Sequence, residues 1–152
     1  PLNMPLQDQV MTKMKDAMRA KDSVALSSLR AIKSALLLAQ TAASGTVLSA
    51  EEEIKLVQKL VKQRQDSAAI YKEQGREDLA APELAEVAVL AQFLPEQLSE
   101  EEVKEAVAQI IASSGASGMG DMGKVMGLAS KELAGKADGK TISSIVKTLL
   151  TA

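Results

Sequence analysis

Glycine and lysine residues concentrate in the last third of the chain, where together they could bind phosphate. Seven of the nine glycines lie from Gly115 to Gly139, and five lysines follow Gly118. Glycine lets a backbone approach a ligand closely, and the free N–H groups of a helix start attract phosphate oxygens. The candidate phosphate contacts are Lys124, Lys136, Lys140, Gly120, Gly123 and Gly139.

A structural interpretation of the same residues stays open beside this one. Glycine turns commonly join packed helices, and lysines commonly cover solvent-exposed surfaces. Asp121 and Asp138 are predicted to cap the last two helices, where their carboxylates would repel phosphate. No aromatic residue follows Phe93, so bases could not stack on this part of the chain.

Two glycine motifs imitate nucleotide-binding loops but lack what such loops need. Gly118, Gly120 and Gly123 fit GxGxxG, yet no strand pattern precedes them. The stretch 118–124 fits the start of a phosphate loop, but Val125 stands where Ser or Thr would hold magnesium. We therefore expect no nucleotide-binding fold and no cofactor.

The residue types that carry most enzyme chemistry are missing. The chain has no cysteine and no histidine, which excludes thiol nucleophiles, histidine bases and the usual zinc sites. The glutamate triplets at 51–53 and 100–102 fall in predicted first turns of helices, where carboxylates favour the helix dipole. The sequence provides no catalytic or metal-binding residues, and it favours, without deciding, a chain that is not an enzyme by itself.

The composition indicates an aliphatic, helical protein. Of the 152 residues 46% are hydrophobic and only 1% aromatic, and alanine and leucine favour close helix packing. The net charge of −2 argues against binding nucleic acid by bulk charge alone, although a local basic patch would still serve. Neither a membrane span nor a secretion leader is evident, so we expect a cytoplasmic protein without membrane contact.

Apolar residues recur every three or four positions along the chain, which predicts an all-α fold of seven helices. A four-helix, bundle-like N-terminal domain is predicted over 1–94, and a small three-helix C-terminal domain over 95–152. The boundary is placed at Leu94-Pro95 because proline restricts the residue before it and ends the fourth helix, predicted at about 77–93.

Short signals mark helix ends and surfaces. Ser49 with Glu52 forms a predicted capping box for the third helix, and Ser99 with Glu102 forms one for the fifth. The second helix is predicted over about 24–43, followed by a break at 44–46.

The basic residues of the N-terminal half are expected to have structural roles. Lys55, Lys59 and Lys62, with Arg64 beside them, follow one side of the third helix, as expected of a solvent-exposed face. Arg30 interrupts an apolar run, and we expect it to pair with a carboxylate between helices, such as that of Asp66.

Several stretches resemble motifs of the GatB/YqeY family, specifically its free-standing YqeY-like members, in the same order and over nearly the whole chain. They are residues 28–30, 62–67, 75–79, 93–102, 121–126 and 135–139. The resemblance implies a helical fold with a larger N-terminal bundle and a small three-helix C-terminal domain. That expectation agrees with the one drawn from periodicity.

The related domain is the tail of the B subunit of the glutamine-dependent amidotransferase that amidates misacylated Glu-tRNA or Asp-tRNA. There it helps to hold the tRNA, while the chemistry lies elsewhere. The resemblance therefore implies a tRNA-binding accessory module, associated with carbon–nitrogen ligase activity that uses glutamine as amido-N-donor, without an active site of its own.

The expected partners are tRNA or tRNA-like RNA, and components of the amidotransferase or of aminoacyl-tRNA synthetases. DNA is not expected. RNA contact is expected at the lysines and glycines of the candidate site. The alternative is a protein-interaction module that binds a partner enzyme and never contacts nucleic acid.

Overall fold

The structure, a computed structural model, describes residues 4–42, 45 and 47–152. Over these residues the chain forms α-helices and one 3-10 turn at Met119–Asp121, without strands, so the predicted all-helical fold is confirmed. The helices are α1 Leu6–Ala20, α2 Ser23–Ala42, α3 Ala50–Glu73, α4 Glu77–Ala91, α5 Glu100–Ser114, α6 Met122–Glu132 and α7 Gly139–Thr151. The predicted end of the second helix at residue 43, and positions 44 and 46 of the break, lie outside the described residues.

The chain divides after Leu94 into two compact units. The N-terminal unit contains α1 to α4 and the C-terminal unit contains α5 to α7. The fourth helix ends at Ala91, two residues earlier than its periodicity predicts. No described helix has the length and the apolar character that crossing a lipid bilayer would need.

In the N-terminal unit, α2 packs against each of the other three helices, and α3 packs along α4. The α1–α2 turn is tight because Lys21 takes a left-handed conformation and the Asp22 carboxylate accepts a hydrogen bond from the N–H of Ala25. The buried core is aliphatic throughout and comprises Leu6, Val10, Ala17, Leu29, Ile32, Leu36, Val57 and Leu90.

An ion pair crosses between α3 and α4 in this unit. Arg64 Nε donates to Glu86 Oε1 at 3.0 Å, and the two side chains are only 18% and 22% exposed. The same guanidinium donates to the carbonyl of Leu60. Arg64 is therefore not part of the solvent-exposed stripe formed by its lysine neighbours.

The structural role predicted for Arg30 is wrong. Arg30 is exposed and has no ionic partner among the residues that the structure describes. One position after buried Leu29, the helical rotation turns this side chain away from the core. Asp66 instead lies 3.8 Å from Lys62 on the exposed side of α3.

In the C-terminal unit, each of the three helices packs against the other two. Val103 and Val107 of α5, Val125 of α6 and Val146 of α7 are fully buried. Both predicted capping boxes, at Ser49 for α3 and at Ser99 for α5, are present. Helix α5 ends at Ser114, and the next residue, Gly115, has the left-handed conformation that glycine adopts readily.

Candidate nucleic-acid interface

The start of α6 is not capped by the Asp121 side chain, contrary to the prediction from the sequence. Asp121 occupies the position before the helix, but its carboxylate makes no capping bond to α6. It accepts the N–H of Ser117 at 3.0 Å instead, which closes the turn ahead of the helix. The prediction missed this use because a 3-10 turn at Met119–Asp121 precedes α6.

Lys124, in the first turn of α6, is anchored to another helix. Its Nζ donates to the carbonyl of Ser114 at 3.1 Å. The last carbonyls of a helix lack partners within the helix and carry negative partial charge, so this lysine complements the C-terminal end of α5. Its side chain stays exposed.

The start of α7 is capped as predicted. Asp138 Oδ1 accepts the N–H of Thr141 at 2.7 Å. This bond occupies one of the donors that a helix start offers to phosphate, and it adds a negative charge there. Lys140 is exposed in the same turn, and Glu100 of α5 lies beside it.

The loop between α6 and α7 is tied to the segment that precedes α5. Gln97 Nε2 donates to the carbonyl of Gly135 at 2.6 Å, and the N–H of Leu98 donates to the carbonyl of Lys136 at 2.9 Å. Gly135 is buried and has a left-handed φ of 77°. The backbone of Lys136 is therefore fixed while its side chain remains exposed.

The lysines of the predicted site do not converge. Lys124 contacts Ser114 at one end of α5, whereas Lys136 and Lys140 lie near Leu98 and Glu100 at the other end. A helix of 15 residues is roughly 22 Å long. The starts of α6 and α7 are therefore separated along α5, so they cannot hold one phosphate together.

Helix α7 presents a polar surface that was not predicted from the sequence. Lys140, Ser144, Lys147, Thr148 and Thr151 are all exposed, at spacings that place them along one side of the helix. The whole of α7 contains neither aspartate nor glutamate. We name these five residues the α7 face. The signal was the recurrence of lysine and hydroxyl residues at three- and four-residue intervals.

The predicted glycines have no internal role that the described residues reveal. Gly120, Gly123 and Gly139 are exposed, and a Cβ added at any of them would meet no atom within 4 Å. None of the three has a left-handed φ. Tight turns in this region need glycine only at Gly115 and Gly135, which have positive φ.

The acidic triplet of α5 has a structural use. Glu102 accepts the N–H of Ser99 at 2.9 Å, while Ser99 Oγ accepts the N–H of Glu102 at 3.1 Å. The Ser99 backbone N–H, helped by the Ser99 hydroxyl, lowers the pKa of the Glu102 carboxyl. Within the described part of the chain, no group of three or more His, Cys, Asp or Glu residues is arranged to hold a metal ion.

Comparison with known proteins identifies the family. Residues 7–150 match the sequence model of the family described as YqeY, Yqey-like protein. No curated protein matches the chain. Since the family match covers nearly all of the 152 residues, the chain belongs to the family of YqeY-like proteins.

Proposed function

We propose that this protein is an RNA-binding accessory module that holds tRNA or tRNA-like RNA in support of glutamine-dependent tRNA amidation. The observation that carries the proposal is the α7 face, where Lys140 and Lys147 are exposed on a helix without a single carboxylate. The resemblance of the chain to the tail of the amidotransferase B subunit names the class of RNA.

The α7 face suits phosphate and ribose rather than bases. Lysine ammonium groups and Ser or Thr hydroxyls are common partners of nucleic-acid backbones. Thr148 Oγ1 donates to the carbonyl of Ser144 at 2.9 Å, which leaves its oxygen able to accept from a ribose 2′-OH. No aromatic side chain exists in the C-terminal unit, so recognition would depend on backbone shape.

The lysines of the predicted site have different places in the proposed RNA contact. Lys136 and Lys140 lie at the start of the α7 face and contact the same stretch of RNA as Lys147. Lys124 lies at the far end of α5, where it would contact a separate phosphate. Gly120, Gly123 and Gly139 would leave bare backbone beside the strand.

The proposed role does not include catalysis by this chain. Among the carboxylates of the C-terminal unit, Glu102 is occupied by its capping bonds. The four-helix and three-helix units are proposed to be separate domains, with RNA binding in the second.

The test is a filter-binding titration with tRNA at several salt concentrations. Replacing Lys136, Lys140 and Lys147 together by glutamine should weaken binding and make its salt dependence shallower. Each phosphate that a replaced lysine no longer neutralises should remove about 0.7 to 0.9 from the log–log slope. The change in helix content, followed by circular dichroism, should be small.

The matched control replaces Lys55, Lys59 and Lys62 by glutamine, which changes the net charge by the same amount on the exposed side of α3. This variant should bind tRNA nearly as the unmodified protein does. If the control loses binding while the α7 variant keeps it, the N-terminal unit is the RNA surface. If the unmodified protein binds no RNA at low salt, the proposal fails and the protein-interaction alternative stands.

A further inference from the structure

An apolar groove runs between α1 and α2 in the N-terminal unit. Its walls include Gln7 and Met11 of α1, and Lys33, Leu37 and Gln40 of α2. We name these five residues the α1/α2 groove. Met11 is 45% exposed and Leu37 is 66% exposed, although each is next to a buried residue of the core. Exposed apolar side chains that line one groove mark a binding surface more often than single ones do.

The groove continues along both helices with the same character. Because residues three and four apart are neighbours on a helix, Arg30 lies one turn from Lys33 on α2, and half-buried Met14 lies one turn from Met11 on α1. Met18, 55% exposed, lies a further turn along. From Gln7 to Met18 this surface is about 16 Å long, enough for three turns of a bound helix.

The charge of this surface has one sign. Helix α2 contains no aspartate or glutamate over its 20 residues, and both Arg30 and Lys33 are exposed. Neither has an ionic partner among the residues that the structure describes. The carboxylates of α1, Asp8 and Asp16, do not line the groove. An occupant that places carboxylates against Arg30 and Lys33 would complete these charges.

We infer that the α1/α2 groove binds an acidic amphipathic helix of a partner protein. Apolar side chains at the i, i+3 or i+4, and i+7 positions of that helix would contact Met11 and Leu37, and its Glu or Asp residues would face Arg30 and Lys33. Methionine suits such a surface because its flexible thioether adapts to different side chains. This inference is independent of the RNA-binding proposal, since it concerns the other unit.

Two other occupants fit less well. RNA would find the cations but would leave Met11 and Leu37 without an apolar contact. A symmetric pair of two copies would use the same surface twice, which would bring the cations of one copy against the equally basic surface of the other. Such like-charge contacts are unfavourable across an interface.

The experiment uses two designed peptides of roughly 18 residues, about 27 Å long as helices. Both carry leucine at the i, i+3, i+4 and i+7 positions. One has glutamate at the remaining positions, and the other has lysine. Fluorescence anisotropy with the full chain should give a dissociation constant at least about tenfold lower for the glutamate peptide, because its charges complement those of the groove.

The location is read from the methyl NMR signals of methionine. The glutamate peptide should shift the signal of Met11 and leave that of Met119 unchanged, although Met119 in the C-terminal unit is equally exposed at 45%. Neither peptide binding, or a shift of Met119 in place of Met11, would overturn the inference.

Variants test the same contact. Leu37→Asp should weaken the glutamate peptide at least about tenfold, whereas Ile70→Asp, an exposed apolar position of α3, should not. The double variant Arg30→Glu with Lys33→Glu should prefer the lysine peptide. Circular dichroism confirms that each variant is folded, and an unchanged peptide preference in the folded double variant contradicts the inference.

The other occupants are decided by two further measurements. Added tRNA that shifts Met11 and competes with the glutamate peptide would show that the groove binds nucleic acid, and the inference would be wrong. Sedimentation of the protein alone should show no dimer that Leu37→Asp abolishes. Such a dimer would assign the groove to a second copy of the chain.

Discussion

The two ion pairs on α3 have nearly the same chemistry and very different surroundings. Arg64 and Glu86 lie 3.0 Å apart with side chains only 18% and 22% exposed. Lys62 and Asp66 lie 3.8 Å apart with side chains 51% and 64% exposed. Water screens the second pair strongly, and the first pair has lost much of its water.

Removing one partner should therefore lower stability more in the Arg64–Glu86 pair than in the Lys62–Asp66 pair. Arg64→Leu should lower the free energy of unfolding by about 1–3 kcal/mol, because Glu86 then stays partly desolvated without its hydrogen bond. Lys62→Leu should change it by no more than about 0.5 kcal/mol. Urea unfolding measures both, and equal losses would contradict this account of how α3 and α4 are joined.

Arginine side chains show the limit of what the sequence predicts for single residues. The recurrence of apolar residues predicted that this part of the chain is helical, and Leu29, Ile32 and Leu36 of α2 are buried at such spacings. It could not predict that Arg64 meets Glu86, which is 22 positions away, because such a contact depends on how α3 and α4 pack. The pairing predicted for Arg30 was wrong for a local reason, because this side chain lies one position after buried Leu29 and the helical rotation turns it away from the core.

The capping box of α5 stabilises the start of that helix and also contains a titrating carboxyl group, that of Glu102. Ser99→Ala should lower the free energy of unfolding of the C-terminal unit by about 0.5–2 kcal/mol, as loss of an N-cap hydroxyl usually does. The hydroxyl now accepts the N–H of Glu102, and alanine leaves that donor to water. Thermal unfolding followed by circular dichroism would measure the change.

The same box predicts a pH dependence. The folded-state pKa of Glu102 is lowered, chiefly by the backbone N–H of Ser99, so its contribution to stability is present above the unfolded-state pKa. That contribution is lost as the pH falls through the folded-state pKa. Glu102→Gln should therefore be less stable than the unmodified protein at neutral pH and equal to it in acid. The control Glu101→Gln removes the same charge outside the box, and an identical pH profile for both variants would refute the assignment.

Helix starts were predicted well where the signal was local. Ser49, Ser99 and Asp138 all make the expected capping bonds because each needs only the next three residues of its own helix. Asp121 does not, since its carboxylate accepts the N–H of Ser117, which precedes the 3-10 turn. The α7 face was missed for a different reason, because its hydroxyl residues carry no charge and do not stand out in the sequence beside glycines and lysines.

The hydrogen bonds made by Gln97 and Leu98 predict where a stable fragment of the C-terminal unit should begin. Both residues donate to the α6–α7 loop, within the same unit. A fragment of residues 95–152 should fold on its own core and unfold cooperatively. A fragment of residues 99–152 should be less stable by about 1–3 kcal/mol, because it lacks two hydrogen bonds.

Thermal unfolding of the two fragments tests this prediction, with the full chain as reference. Equal stability of the fragments would mean that residues 95–98 contribute nothing to the unit. An unfolded 95–152 fragment would mean that the C-terminal unit cannot stand alone.

From the sequence, the function of the whole chain was predictable only to the level of its family. The motifs at 93–102 and 135–139 indicated it before any geometry was known, and the family match over residues 7–150 agrees. The placement of the lysines was not predictable, because the sequence does not reveal that α5 separates the starts of α6 and α7. The α1/α2 groove was not predicted either, because its position depends on how α1 packs against α2.

The exposed glycine inside α6, Gly127, leaves the protein less stable than its own backbone allows. Alanine at this position would meet no atom within 4 Å and would require no change of φ. Inside a helix, alanine is more favourable than glycine by roughly 0.5–1 kcal/mol. Substitution by alanine could therefore raise the stability of the protein without altering its core. The natural sequence does not use this gain.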